Sequence, residues 1–290
     1  MHDTVSWAGR LECYLRLTRL NKPIGIFLVV WPMLWALWVG AGGTPDPWVL
    51  TVFVLGAVLT RSAGCVVNDF ADRNIDGHVK RTTARPLATG EVGSREALLL
   101  AVVLAFAAFL LVLTLNALTI KLAFVALGLG VLYPFTKRFT QWPQLFLGLA
   151  FGWAVIMAFA AVGGGVPVGG WLMFAAAVIW ALVYDTMYAM VDRDDDLKIG
   201  VKSTAILWGE YDRLVVGLCQ CLFFVLLVAT GISAGLGWAY YVGLLAAGAI
   251  AIYHQWLIRN RERGPCFQAF MHNNVLGGVV FISIVIDQLL

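Results

Sequence analysis

Nine runs of mostly apolar residues, each long enough to cross a bilayer, are joined by short links. They fall at roughly 23–41, 48–68, 96–115, 117–134, 143–163, 171–191, 214–235, 238–257 and 268–289. A helix needs about 20 such residues to span the hydrocarbon core. The chain is therefore predicted to be all-α, a polytopic membrane protein with nine transmembrane helices in one bundle. Only 13% of its 290 residues are charged, against about 25% in soluble domains, so no soluble domain is expected. Residues 1–22 read as a cytoplasmic N-terminal segment and 23–290 as one transmembrane domain. The first run is of span length and lacks a small-residue cleavage site, so it reads as a retained helix and not a signal peptide. The third and fourth runs are divided only by Asn116 and its neighbours.

The charge map orients the bundle. Arg10, Arg16, Arg19 and Lys22 precede the first run, and Arg73, Lys80, Arg81, Arg85 and Arg95 follow the second. Lys137 and Arg138 follow the fourth, Arg193, Lys198, Lys202 and Arg213 the sixth, and Arg259, Arg261 and Arg263 the eighth. With nine spans all these links lie on one side, while the links 41–47, 163–170 and 235–238 hold no Lys or Arg. By the positive-inside rule the basic side is cytoplasmic, with the N-terminus in and the C-terminus out. Trp38, Trp48, Trp171 and Trp238 lie near the opposite boundary, where an aromatic belt belongs.

Two acidic motifs end the second and sixth runs on the basic side, and they share one spacing. Asn68 is followed by Asp72 and Asp76, and Tyr188 by Asp192 and Asp196. On a helix, steps of four keep side chains on one face, drifting about 40° each time. Each motif is expected to present a short ladder of oxygen ligands. Such ligands suit Mg²⁺, which keeps several waters and is usually shared with substrate phosphates. Two such ladders facing one cytoplasm-facing cavity would make a diphosphate site. The plain alternative, a solvated helix end, fits one motif better than two of equal spacing. Asp69, Asp194 and Asp195 lie off the ladder faces.

Other charges fit the same picture. Arg61 sits inside the second run, seven before Asn68 and eleven before Asp72, which places it on the ladder face about two turns deeper. An intramembrane Arg pairs or faces a polar cavity; an Arg61–Asp185 pair and a charge facing an anionic substrate are both open and compatible. Asp185 lies seven before Asp192, deep enough to be costly without a role. The link 77–95 places Lys80, Arg81 and Arg85 directly after the first ladder, and Pro86 and Gly90 make it a compact lid. Basic links are ordinarily topology determinants and lipid contacts, but here Arg forks would also suit phosphate oxygens. Lys198, Lys202 and Ser203 follow the second ladder likewise. The five cysteines and four histidines show no metal spacing, and no nucleotide fingerprint is present. The span glycines, such as Gly148 with Gly152 and Gly277 with Gly278, read as helix-packing positions.

At these residues the chain resembles the UbiA superfamily of intramembrane prenyltransferases over nearly its whole length. The resemblance rests on Arg19-Leu-Asn21-Lys22-Pro23-Ile-Gly25, on Asn68-Asp69-x-x-Asp72-x-x-x-Asp76 and on Arg81-x-x-x-Arg85-Pro86-Leu87. It continues through Tyr133-Pro134-x-x-Lys137-Arg138 and Tyr184-Asp185-Thr186-Met187-Tyr188-Ala189-x-x-Asp192-Arg193-x-Asp195-Asp196, ending Gly200-x-Lys202-Ser203. The last motif is most similar to the 4-hydroxybenzoate polyprenyltransferases of ubiquinone biosynthesis. The resemblance implies that Mg²⁺, held by Asp72, Asp76, Asp192 and Asp196 with Asn68, binds the donor diphosphate, and that a polyprenyl group passes from it to the ring carbon ortho to the hydroxyl of 4-hydroxybenzoate. It implies that Lys80, Arg81, Arg85, Lys137, Tyr188 and Lys202 bind substrate beside the ladders. The acceptor carboxylate would pair with Arg138 first and Arg19 second, and Asp185 would orient the phenol or take a proton. The prenyl tail would lie among the spans or in lipid. Homogentisate, a naphthoate or haem are alternative acceptors. A transporter is the rival from another class, but its polar residues gather at the midplane, whereas these cluster at one face.

Overall fold

The computed structural model describes residues 7–74, 76–78 and 82–290. The site expectations on Lys80 and Arg81 lie outside the described residues. Among the described residues there are nine helices long and apolar enough to cross a membrane. In chain order they are α2 (Ile24–Ala41), α3 (Pro47–Asp72), α5 (Ser94–Val112), α6 (Ala117–Thr136), α7 (Pro143–Gly163), α8 (Val168–Ile199), α10 (Asp212–Ala234), α11 (Trp238–Leu257) and α12 (Arg263–Leu289). Three short helices lie between or before them: α1 (Trp7–Leu17), α4 (Pro86–Thr89) and α9 (Thr204–Trp208).

Local chemistry sets the boundaries. Asp46 caps α3 by accepting from Trp48 N (2.8 Å) and Val49 N (3.0 Å), with Pro47 at the first helical position. Asn116 settles the division of the third and fourth spans. Its Oδ1 accepts from Thr119 N at 2.9 Å, starting α6, and its amide donates to Ala160 O on α7 at 2.7 Å. At the opposite end of α8, Gly200 takes the left-handed conformation (φ 73°) that a C-cap requires.

α8 is the central helix, packed against α7, α10, α12 and α2, and more of its apolar length is buried than in any other span described. Its Trp180 and Tyr184 join Trp35 of α2 and Phe223 of α10 in a buried aromatic core. Buried indole N–H groups need partners; Trp180 donates to Asn273 Oδ1 (2.9 Å) and Trp35 to Gly277 O (3.0 Å). A Cβ on Gly277 would lie 2.6 Å from Trp31, and one on Gly148 2.6 Å from the Val178 carbonyl. Both glycines let helices approach closely, as the sequence predicts. α5 and α6 sit at the rim, with Leu99, Phe106, Phe124 and Leu127 exposed, an apolar face suited to lipid tails. Trp48, Trp171 and Trp238 are also exposed, consistent with an aromatic belt.

α1 lies along the mouth of the bundle. Cys13 and Leu17 are buried with Val66, Leu87, Val92 and Ala97. Arg10 and Tyr14 bond Glu96, and Arg16 bonds Glu91. These contacts hold the link after α3 compactly. α4 is one turn started by Pro86 and closed by Gly90 at φ 78°.

Candidate active site

α3 and α8 both run past their apolar stretches, and the two acidic motifs meet at one cavity of about 160 Å³. Asn68 and Asp72 reach it from the end of α3, and Asp185, Tyr188, Asp192 and Asp196 from α8. Tyr133 and Lys137 come from the end of α6, Gln144 from the start of α7, and Lys202 and Ser203 from the loop after α8.

The second motif is a helical ladder, as its spacing predicts. The first is not one throughout. α3 stops at Asp72, where Arg73 folds back to donate to Phe70 O at 2.7 Å. Asp76 instead opens a 3-10 turn, with Thr82 Oγ1 donating to its carbonyl at 2.8 Å. Asp76 still lines the cavity, held there by Arg85, whose Nη1 bonds both carboxylate oxygens at 3.0 and 2.9 Å.

The four ladder carboxylates are nearly sealed: Asp72 is 2% exposed, Asp76 4%, Asp192 8% and Asp196 9%. Buried charge of one sign is costly unless opposed. Lys137 pairs with Asp72, and Arg85 with Asp76 and Asp69. Burial pushes the Asp76 carboxyl above the usual range, and Arg85 pulls it part of the way back. Oδ1 of Asp72 is buried and makes no hydrogen bond, so its donor capacity toward a cation is intact. Among the described residues, no three His, Cys, Asp or Glu side chains converge closely enough to enclose a metal by themselves. The donor set fits a hard cation that takes part of its shell from elsewhere.

Several predicted residues stand apart from the cavity lining. Arg138 is exposed; one position past Lys137, it turns away, donates to Ala71 O and lies over the Phe135 ring. Arg19 spends its fork on Asp69, with Nη2 2.9 Å from both oxygens. Its backbone is left-handed (φ 61°), a conformation unfavourable for a residue with a Cβ, and the bond to Asp69 holds it there. Arg61 lies deeper, with its guanidinium 5.2 Å from the Phe151 ring centre, within electrostatic reach of Asp185, Tyr133 and Tyr184. Nε of Arg61 is sealed and unbonded.

Sequence reasoning sets Asp69 off the ladder face and passes over Gln144. Asp69 is off the ladder face, but it is 1% exposed and joins Arg19 to Arg85. Asp195 instead pairs with Arg263 at 3.0 Å, and the Asp194 side chain is 75% exposed. The signal for Gln144 was present: it is a lone polar residue opening an apolar run, directly after Pro143.

Comparison with known proteins gives one answer. The UbiA prenyltransferase family matches residues 29–276. The 4-hydroxybenzoate octaprenyltransferase of Alkalilimnicola ehrlichii is 59% identical over 274 residues, 94% of each chain. That of Aeromonas salmonicida is 56% identical over 277 residues, 96% of each. Among solved structures, a UbiA homolog from Aeropyrum pernix K1 aligns with a TM-score of 0.80 at 25% identity, covering 91% of this chain and 97% of that one. A UbiA homolog from Archaeoglobus fulgidus bound to GPP and Mg²⁺ aligns at 0.74 and 20% identity, covering 94% and 99%. With two acidic motifs closing on one cavity among nine spans, and with relatives matching end to end, the chain is an integral membrane protein that belongs to the UbiA prenyltransferase family.

Proposed function

We propose that this protein transfers a polyprenyl group from polyprenyl diphosphate to the ring carbon ortho to the hydroxyl of 4-hydroxybenzoate, with Mg²⁺, as a step of ubiquinone biosynthesis. The observation that carries this reading is a cavity that gathers Asn68, Asp72, Asp76, Asp192 and Asp196 with Lys137, Arg85 and Lys202. The acceptor follows the relatives, which are named for 4-hydroxybenzoate.

Bound Mg²⁺ would be held by the five oxygen donors together with diphosphate oxygens, and would offset the charge that develops on the leaving group. Lys137, Arg85 and Lys202 act on the same charge as fixed cations. The allylic C–O bond breaks with its electron pair leaving on diphosphate. The ring carbon attacks the delocalised cation, and loss of that carbon's proton restores aromaticity. Water would quench the cation, so the sealed carboxylates and surrounding spans protect the step. Asp185, at the inner end, orients the phenol or takes the proton. With Arg138 and Arg19 engaged elsewhere, Arg61 is the cation best placed for the acceptor carboxylate.

The protein as purified should turn over a labelled polyprenyl diphosphate with 4-hydroxybenzoate and Mg²⁺. Higher kcat/KM on homogentisate, a naphthoate or haem would replace the acceptor, and no transfer to any of them would overturn the reading.

We further propose an N-in, C-out orientation with the site at the cytoplasmic face. The cavity residues sit at the helix ends that carry the basic links, and the positive-inside rule sends such links inward. Single cysteines placed in a variant lacking the five native ones should label from the cytoplasmic side at 77–93 and 197–203, and from the other side at 163–169. Cytoplasmic labelling of 163–169 would reject the orientation.

A further inference from the structure

Gln144 is the second residue of α7 and is only 5% exposed. A side-chain amide has one accepting end and one donating end, and here the partner decides which is which. The backbone N–H of Thr204 donates to Gln144 at 3.0 Å. Only oxygen can receive that proton, so Oε1 faces Thr204 and Nε2 points elsewhere. Thr204 is itself locked. It is fully buried, and its hydroxyl lies 2.7 Å from that of Thr186, which donates to Leu182 O at 2.6 Å. Ser203 caps the helix that Thr204 begins.

The other end of the amide is unused. Nε2 of Gln144 donates to no atom among the described residues, yet it is not one of the sealed polar atoms, and Gln144 borders the cavity. An amide N–H that opens on the cavity and has no acceptor among the described residues is poised for an oxygen that enters with a ligand. Depth says which ligand. Thr186 lies next to Asp185 and six residues inward from Asp192, about 9 Å along α8. Through Thr204 the Gln144 amide is tied to Thr186, the residue beside Asp185.

We infer that Gln144 is a specificity-determining residue that donates a hydrogen bond from Nε2 to an oxygen of the aromatic acceptor. This rests on the function proposed above. Gln144→Glu is the discriminating variant. It keeps an oxygen for Thr204 N–H, so the local fold is retained, but it replaces the donor with an acceptor. At pH 8, Gln144→Glu should raise KM for 4-hydroxybenzoate at least ~10-fold, a loss within the range for one buried hydrogen bond. KM for the prenyl diphosphate should move less than about twofold. Gln144→Met, lacking both ends, should show the same split together with a lower melting temperature in detergent. The methyl ester of 4-hydroxybenzoate identifies the oxygen: an undiminished effect assigns the ring hydroxyl, a diminished one the carboxylate. A rise in KM for the diphosphate instead, or unchanged KM for both substrates in the folded Glu variant, would overturn the assignment. If the wild type itself does not turn over 4-hydroxybenzoate, the proposed function fails, not the geometry of this one residue.

Discussion

Asp192→Asn is expected to lower turnover by at least ~10²-fold, and Asp72→Asn by as much, each leaving a folded protein in detergent. The main work of the site is electrostatic, and removing one charged group from such a site typically costs that much. Burial sharpens the expectation. Both carboxylates are at least nine-tenths enclosed, so little water can stand in for a missing charge. The two variants differ in what they leave behind. Asp72→Asn strands Lys137, its ion-pair partner, so it should also change the salt dependence of diphosphate binding. Asp194→Asn is the control. Its side chain is 75% exposed and pairs with Arg263 at 3.6 Å, outside the cavity lining, so turnover should stay within twofold of wild type. Near-normal turnover in Asp72→Asn or Asp192→Asn would show that the ladders are structural.

The fold was legible because membrane spans are written in runs of apolar residues, because Asn116 starts α6 through a bond three residues on, and because Gly148 and Gly277 mark close helix contacts. The site was legible to the extent that one helix carries it. Tyr188, Asp192 and Asp196 share α8 and meet the cavity as their spacing predicts. Asp76 keeps its place in the cavity by another route, because spacing assumes a helix that ends four residues too early. What spacing cannot express is competition for a cation. Arg138 and Arg19 carry the same charge as Lys137 and Arg85, yet one lies on a backbone carbonyl and the other on Asp69. Asp69, off the ladder face, is buried all the same. The ladder face of α3 is only one of its buried faces, since the link after α3 and the turn after α1 close over the other. Gln144 and Thr204 are 60 residues apart in sequence, and no local pattern joins them.

Removing divalent metal should abolish prenyl transfer, and Mg²⁺ alone should restore it. The oxygen donors lining the cavity are carboxylates, amides and hydroxyls, and among the described residues the lining holds no thiolate or imidazole, a set suited to a hard cation. The ion pairs set a further condition. Asp72 and Asp76 are already opposed by Lys137 and Arg85, and the described carboxylates do not enclose a metal by themselves. A cation must therefore compete with two fixed cations for the same oxygens. Diphosphate relieves that competition by supplying oxygens to the metal and a new anionic partner for Lys137 and Arg85. Metal and diphosphate should consequently bind with strong positive coupling, and the coupling must be reciprocal. Mn²⁺ titrated against the protein and followed by electron paramagnetic resonance should bind at least ~10-fold more tightly in the presence of a non-reactive prenyl diphosphate analogue. The analogue's affinity should rise by the same factor with metal. Lys137→Ala should weaken the coupling by improving metal affinity in the absence of the analogue, since one competitor is gone. Full turnover after exhaustive chelation would remove the metal from the reaction. Mn²⁺ affinity that is indifferent to the analogue would separate the carboxylate ladders from the diphosphate.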